Sequence, residues 1–301
     1  MQKKSKKKTA LRPLATPAEV ERAFDRLYPL HRSILGPGYR ESLKILSEYI
    51  PFITESYRTG ERALGWVVPR EWRLKEAYLE DPSGRRIIDA QNSTLSILNY
   101  SAPVDARLTL QELKPHLYSL PNLPDAVPYT TSYYQERWGF CLADKQKQKL
   151  PDGVYHAVVD SAFVDGELVI GQAVLPGKST REILLSSYLC HPSLANNELS
   201  GPLVLAMLYQ RIAQWENRYY TYRFVINPET IGSLAYLERH GTELRENLLA
   251  GLVLTCLGGA RKKLRLKRSR KDSKFKSRRA YVHGLRSGKT RRLLAMCLIY
   301  I

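Results

Sequence analysis

The chain has 301 residues, 44% of them apolar and 10% aromatic, enough for one large domain or two modest ones around a substantial core. Its net charge of +18 is concentrated: residues 3–8 hold five lysines, residues 261–292 hold 16 Lys or Arg against one acid, and the stretch between is close to neutral. The four cysteines (141, 190, 256, 297) are far apart, which excludes a CxxC thiolate cluster and argues against a disulfide scaffold. No apolar run approaches the about 18 residues of a membrane span, and the basic N-terminus leads into no apolar signal core. A soluble, cytoplasmic protein is expected.

Residues 1–15 read as a disordered basic terminus. At "TPAEVERAFDRLYPL", Thr16 before Pro17 is a helix start, with Thr as N-cap and Pro at the first helical position. "RESLKILSEYI" predicts a second helix ending before Pro51. From 53 to 149 prolines recur and strands are short ("GWVVP", "RRIIDA", "LSILNY"), with one short helix at "TLQELKPHLYSL". This reads as a β-rich inserted domain. "VYHAVVDSAF" and "GELVIGQAVL" flank a turn and predict a hairpin. Thereafter strands ("EILLSSYLC", "YTYRFVINP", "AGLVLTCLGG") alternate with helices (200–215, "SLAYLERH", "ELRENL"). That alternation predicts an α/β domain over 16–52 and 150–260, a mixed sheet with helices on both faces. In such sheets reactive groups gather where strands end and helices begin.

Two strand ends carry chemistry. In "CHPSLANNELSG", His191 follows a strand, and Asn197 and Glu198 precede a helix. A histidine with oxygen donors on one loop suits zinc. In "NPETIGS", Glu229 stands at the next strand end, where it can bind metal or act as general base. The same residues also suit ordinary helix caps and a first-turn glutamate facing the helix dipole. His31, His116, His156 and His240 have no ligand partner at a recognisable spacing and are expected to be structural. Alternation along a strand would send Cys190 and His191 to opposite faces, against a Cys–His dyad. No phosphate-binding glycine motif is present.

"YPLHRSILGPGYRESLKIL", "GWVVPREW", "AYLEDPSGRRIIDAQN", "LNYSAPV", "LKPHLYSLP", "VPYTTSYYQERWGFCL", "SSYLCHPSLANNELSGP", "INPETIGSLAYL" and "LVLTCLGG" follow one another in order. Together, over roughly residues 25–273, they resemble the aminopeptidase-like domain family associated with bacterial surface-polysaccharide gene clusters, a distant relative of the co-catalytic zinc exopeptidases. The resemblance implies a zinc-peptidase-like α/β domain interrupted by a smaller β-rich one. It also implies a metal-dependent hydrolase of a peptide or amide-bearing small substrate. His191 matches the first metal ligand of such enzymes. Asn197 stands where the wider group has a metal-bridging aspartate, and its neutral oxygen cannot bridge two ions as a carboxylate does; Glu198 is the alternative oxygen donor. Glu229 stands as a single acid where the wider group has a Glu-Glu pair. Related sequences carry further ligands downstream, whereas residues 261–301 form a basic, aperiodic tail. A C-terminal truncation, leaving an incomplete and inactive site, is therefore a competing expectation. Another is nucleic-acid or acidic-surface binding through residues 261–292, which would be salt-sensitive. Only Phe275 and Tyr281 interrupt those charges as aromatics, so base stacking has little support and a solvated tail is the alternative. The sequence sets neither the number of metal ions nor the oligomeric state.

Overall fold

The computed structural model describes residues 13–258; the basic segments 1–12 and 259–301, and the expectations attached to them, lie outside the described residues. Helix α1 (Pro17–Leu27) opens on the expected cap: Thr16 and Glu19 form a reciprocal capping box, and Ala23 and Leu27 are buried. Helix α2 (Pro37–Ser47) buries Tyr39, Leu43, Ile45 and Leu46. Strands β1 (Ile53–Arg58), β2 (Arg62–Ala63), β3 (Trp66–Val67), β4 (Glu71–Glu80), β5 (Arg86–Asp89) and β6 (Val104–Thr109) follow. After the short helix α3 (Leu110–Leu113) come β7 (Leu117–Tyr118), β8 (Phe140–Cys141) and the four-residue α4 (Asp144–Lys147). The last part holds β9 (Val154–Val164), β10 (Glu167–Leu175), β11 (Glu182–Tyr188), α5 (Ser200–Ala213), β12 (Thr221–Asn227), α6 (Ile231–Asn247) and β13 (Leu248–Val253). The two short helices expected over 233–248 are one, running through Gly241, where a Cβ would meet nothing.

A five-stranded mixed sheet, in the order β1-β10-β12-β11-β13, carries the α/β architecture. Strands β12, β11 and β13 are mutually parallel, so their C-terminal ends open on one edge. Helices cover both faces. Along β12, Arg223 meets Tyr236 and Glu243 of α6 while the next residue, Phe224, meets Tyr209 of α5. A second, antiparallel sheet, β5-β4-β9-β6, forms the smaller β-rich insertion with its own core around Leu79, Leu113, Phe140 and Tyr155.

Strand pairing divides the chain differently from the expected 53–149 insertion. Strand β1 joins the five-stranded sheet through β10, and β9 belongs to the four-stranded one. The expected β9–β10 hairpin therefore does not form. The cause is burial: Tyr155, Ala157 and Val159 of β9 face the smaller core, while Leu168 and Ile170 of β10 face the larger one. Asp165 and Gly166 carry the chain across, and Gly166 lies so near Glu71 that a Cβ would come within 2.5 Å of its side chain.

Helix α5 starts equally close to the sheet edge. A Cβ on Gly201 would fall 2.1 Å from the Leu254 carbonyl and 2.4 Å from Ser187 Oγ. Replacing Gly201→Ala is expected to cost about 1–3 kcal/mol, the usual penalty of overpacking. Urea melts would measure it, and a loss below about 0.5 kcal/mol, the range of neutral surface changes, would contradict so tight an approach.

His31 sits where α2 meets the insertion, edge-on to Trp72 at 5.3 Å and lining a cavity of about 230 Å³. Its Nε2 is buried and without a hydrogen-bond partner. Burial, aided by the Arg32 charge, pushes its pKa down to about 4. The folded protein thus holds this proton less tightly than the unfolded chain, so the stability present at neutral pH is lost as pH falls from about 6.5 towards 4. On the order of 2 kcal/mol should disappear between about pH 7.5 and 5. His31→Leu should flatten that part of the stability profile; an unchanged slope would refute the assignment.

Candidate metal centre

Beyond Tyr188 the backbone leaves the ladder of β11, and a π-helical turn (Ala195–Leu199) carries it into α5. Such wide turns recur at functional sites. Strand alternation has ended before Cys190, so Cys190 and His191 are not sent to opposite faces. A Cys190 Sγ, a His191 ring nitrogen and a Glu198 carboxylate oxygen lie within 4.8 Å of one another. This corrects the expectation drawn from strand geometry, and it is the one such group of three among the described residues.

Glu198 is fully buried, and both its oxygens are engaged. Oε2 accepts the Cys190 N–H at 2.6 Å, and Oε1 contacts His191 Nδ1. The other ring nitrogen, Nε2, lies 3.3 Å from Glu229 Oε2, whose side chain is 46% exposed. His191 therefore has an inner face on a buried carboxylate and an outer face on a solvent-exposed one. Tyr129 of the insertion meets the ring at 4.4 Å, and Tyr188 stands 6.3 Å away.

The loop is held from below by Arg32. Its Nε and Nη2 donate to the His191 carbonyl at 3.1 and 3.0 Å, and Nη1 donates to Leu27 O. Burial pushes the guanidinium down to about 10, with the Glu198 charge opposing that shift. The Cys190 thiol is pushed well up, chiefly by burial and then by Glu198.

His191, Glu198 and Glu229, singled out from the sequence, thus come together. Asn197 is tied to the third strand exit instead: Thr255 Oγ1 donates to its main-chain oxygen at 3.1 Å and pairs with Tyr188 Oη at 2.7 Å. Its side-chain Oδ1 is buried with no hydrogen-bond partner. A buried amide oxygen without a donor normally costs stability, so an electrophilic partner is the natural complement. Imidazole nitrogen, thiol sulfur and carboxylate or amide oxygen are all zinc donors, so this chemistry fits the metal.

Arg32, Tyr129 and Thr255 escaped sequence reasoning, and Cys190 was weighed and set aside. Arg32 lies 159 residues from the carbonyl it holds, and nothing in "LHRSIL" marks it. Tyr129 reaches the site from another sheet unit. Thr255 lay in a segment read only as a strand with a glycine exit.

Comparison with known proteins places these features in a family. A protein of Clostridium acetobutylicum, named a polysaccharide biosynthesis protein with aminopeptidase-like domain, is 39% identical over 245 residues, which are 81% of this chain and 56% of that protein. The chain thus spans little more than half the length of that curated relative. A crystal structure of a peptidase from the same organism superposes with a TM-score of 0.77 at 39% identity, covering 81% of this chain and 57% of that one. At the level of fold alone, the zinc aminopeptidase BSAP of Bacillus subtilis matches with a TM-score of 0.53 at 11% identity, over 85% of this chain and 73% of that one. A peptidase M28 precursor of Shewanella amazonensis matches with 0.52 at 12% identity, over 80% and 73%. The mixed sheet with flanking helices is therefore similar to the zinc exopeptidase fold. Residues 22–294 match one family throughout, and the chain belongs to it: the family described as Domain of unknown function (DUF4910).

Proposed function

We propose that the chain is an aminopeptidase-like, zinc-dependent hydrolase of peptide or amide bonds. The observation that carries this reading is the two-faced His191, set between buried Glu198 and exposed Glu229 at the mouth of three parallel strands. The substrate proposed is an amide-bearing small molecule, and the name of the Clostridium relative supports a link to polysaccharide biosynthesis.

His191 Nε2 would hold the metal, and the orphaned Asn197 Oδ1 is the oxygen donor that the sequence points to as a second ligand. Glu198 was expected as a ligand from the sequence, but both its oxygens serve the protein, so its role becomes orientation. A carboxylate on Nδ1 fixes the tautomer with the proton there and leaves the Nε2 lone pair facing outwards. Zinc, when bound, would polarise a substrate carbonyl and acidify water. Glu229 would take the proton of the attacking water on Oε2 and return it to the leaving amine. Tyr129 and Tyr188 flank the ring and shield it from bulk solvent, which strengthens the electrostatic interactions there.

Purified protein is expected to carry zinc, and His191→Ala to lose it. Glu198→Gln should weaken zinc binding by about 10–100-fold, the usual effect of removing an orienting partner. Glu229→Gln should keep the metal and lose about 10²–10⁴-fold in turnover of aminoacyl amide substrates. Metal analysis with a chromogenic aminoacyl panel decides it. Wild-type protein without zinc and without turnover would reject the proposal and favour a non-catalytic role.

A further inference from the structure

Thr230 follows Glu229 and holds φ 59°, ψ −76°. A β-branched residue at positive φ is a genuine outlier. These angles belong to the rare γ-turn with a positive central φ. Its closing bond is present: Ile231 N donates to Glu229 O at 2.7 Å. On the other side, Glu229 N donates to Cys190 Sγ at 3.3 Å. Residue 229 is therefore fixed through its amide and its carbonyl, and between these anchors its carboxylate lies 3.3 Å from His191 Nε2.

A threonine before a helix would ordinarily sit in the extended region and cap the helix with its hydroxyl. Thr230 does neither: its side chain makes no cap bond. The strain is not compensated by the usual gain. It also does not stand alone. Ser193 (φ 49°) and Cys256 (φ 53°) occupy the other two parallel strand exits, so three of the five non-glycine residues at positive φ among the described residues surround this one mouth. Strain concentrated at one location, held there by its surroundings, is the mark of preorganisation.

We infer that Thr230 and Cys190 are positioning residues for Glu229, the γ-turn and the thiol anchor together aiming its carboxylate at the outer face of His191. The inference rests on the reading of Glu229 as proton acceptor.

The test compares Thr230→Gly with Thr230→Val. Glycine frees the backbone; valine keeps the β-branch and removes only the hydroxyl. In the zinc-loaded protein, Thr230→Gly should lower kcat about ten-fold or more with KM nearly unchanged, because misaimed groups lose transition-state rather than ground-state interactions. Its melting temperature should not fall. Thr230→Val should retain wild-type kcat. In a Glu229→Gln background, Thr230→Gly should change nothing further, since it acts only through that carboxylate. Crystal structures of wild type and Thr230→Gly provide a readout independent of turnover: the carboxylate should move away from its 3.3 Å approach to His191 Nε2. A carboxylate that stays in place, or an equal loss of kcat in the Glu229→Gln background, overturns the inference. A wild type without turnover overturns the proton-acceptor reading instead, and the crystallographic comparison still decides the positioning.

Discussion

A buried guanidinium whose hydrogen bonds go to carbonyl oxygens holds the candidate centre together. Arg32 is fully buried, as is Glu198, and they flank the His191 segment. Each charge alone would cost several kcal/mol to keep out of water. Each lowers that cost for the other; Arg32 gives two of its hydrogen bonds to the His191 carbonyl and a third to Leu27 O, while Glu198 spends both its oxygens on residues 190 and 191. The backbone of the His191 loop is thereby set by charges that cannot be removed singly without leaving the other unmatched. Glu198 reaches this place because the π-helical turn widens the chain just before α5, and Gly201 lets α5 begin against the end of the sheet. A regular helical turn would swing residue 198 elsewhere on the helix surface.

The insertion is part of the same assembly. Asn99 donates from Nδ2 to the Arg32 carbonyl at 3.0 Å, and its Oδ1 accepts from Ser33 Oγ. Thr94 and Ser193 share a hydroxyl contact, and Tyr129 closes on the His191 ring. Trp72 at the start of β4 donates to Ser101 O at 2.9 Å, tying the strand to the loop that carries Asn99. The connecting segments of the insertion therefore support the loop through Asn99 and wall it through Tyr129. Loss of the insertion would remove both supports.

Legibility in the sequence followed the range of the interactions. Thr16 and Pro17 marked α1 because capping is decided within four residues. Strand–helix alternation showed the mixed sheet, and the strand-end rule picked out His191 and Glu229, which the fold brings side by side. What failed depended on tertiary choice. The β9–β10 hairpin was the better local reading, but two separate cores each claimed one strand. Cys190 was misjudged because alternation was carried past the point where the strand ends. Arg32 and Tyr129 carry no local pattern. Thr230 could not be found at all, since "NPETIGS" reads as a routine helix start and only the backbone angles show that it is not.

The asymmetry of His191 also favours a catalytic over a purely structural centre. A structural zinc site is closed, with every position filled by protein. Here the inner side is closed in the same way: Cys190 and Glu198 are wholly buried. The outer side is not, since the Glu229 side chain is 46% exposed where it faces Nε2. The carboxylate facing the outer nitrogen is open to water and the one facing the inner nitrogen is not. An exposed carboxylate gains little from a neutral imidazole alone, because solvent screens the contact. Holding it there through a strained γ-turn therefore makes little sense as a source of stability. It makes sense if the position of Glu229 is what the fold maintains, with the rigid inner half of the site as its reference frame.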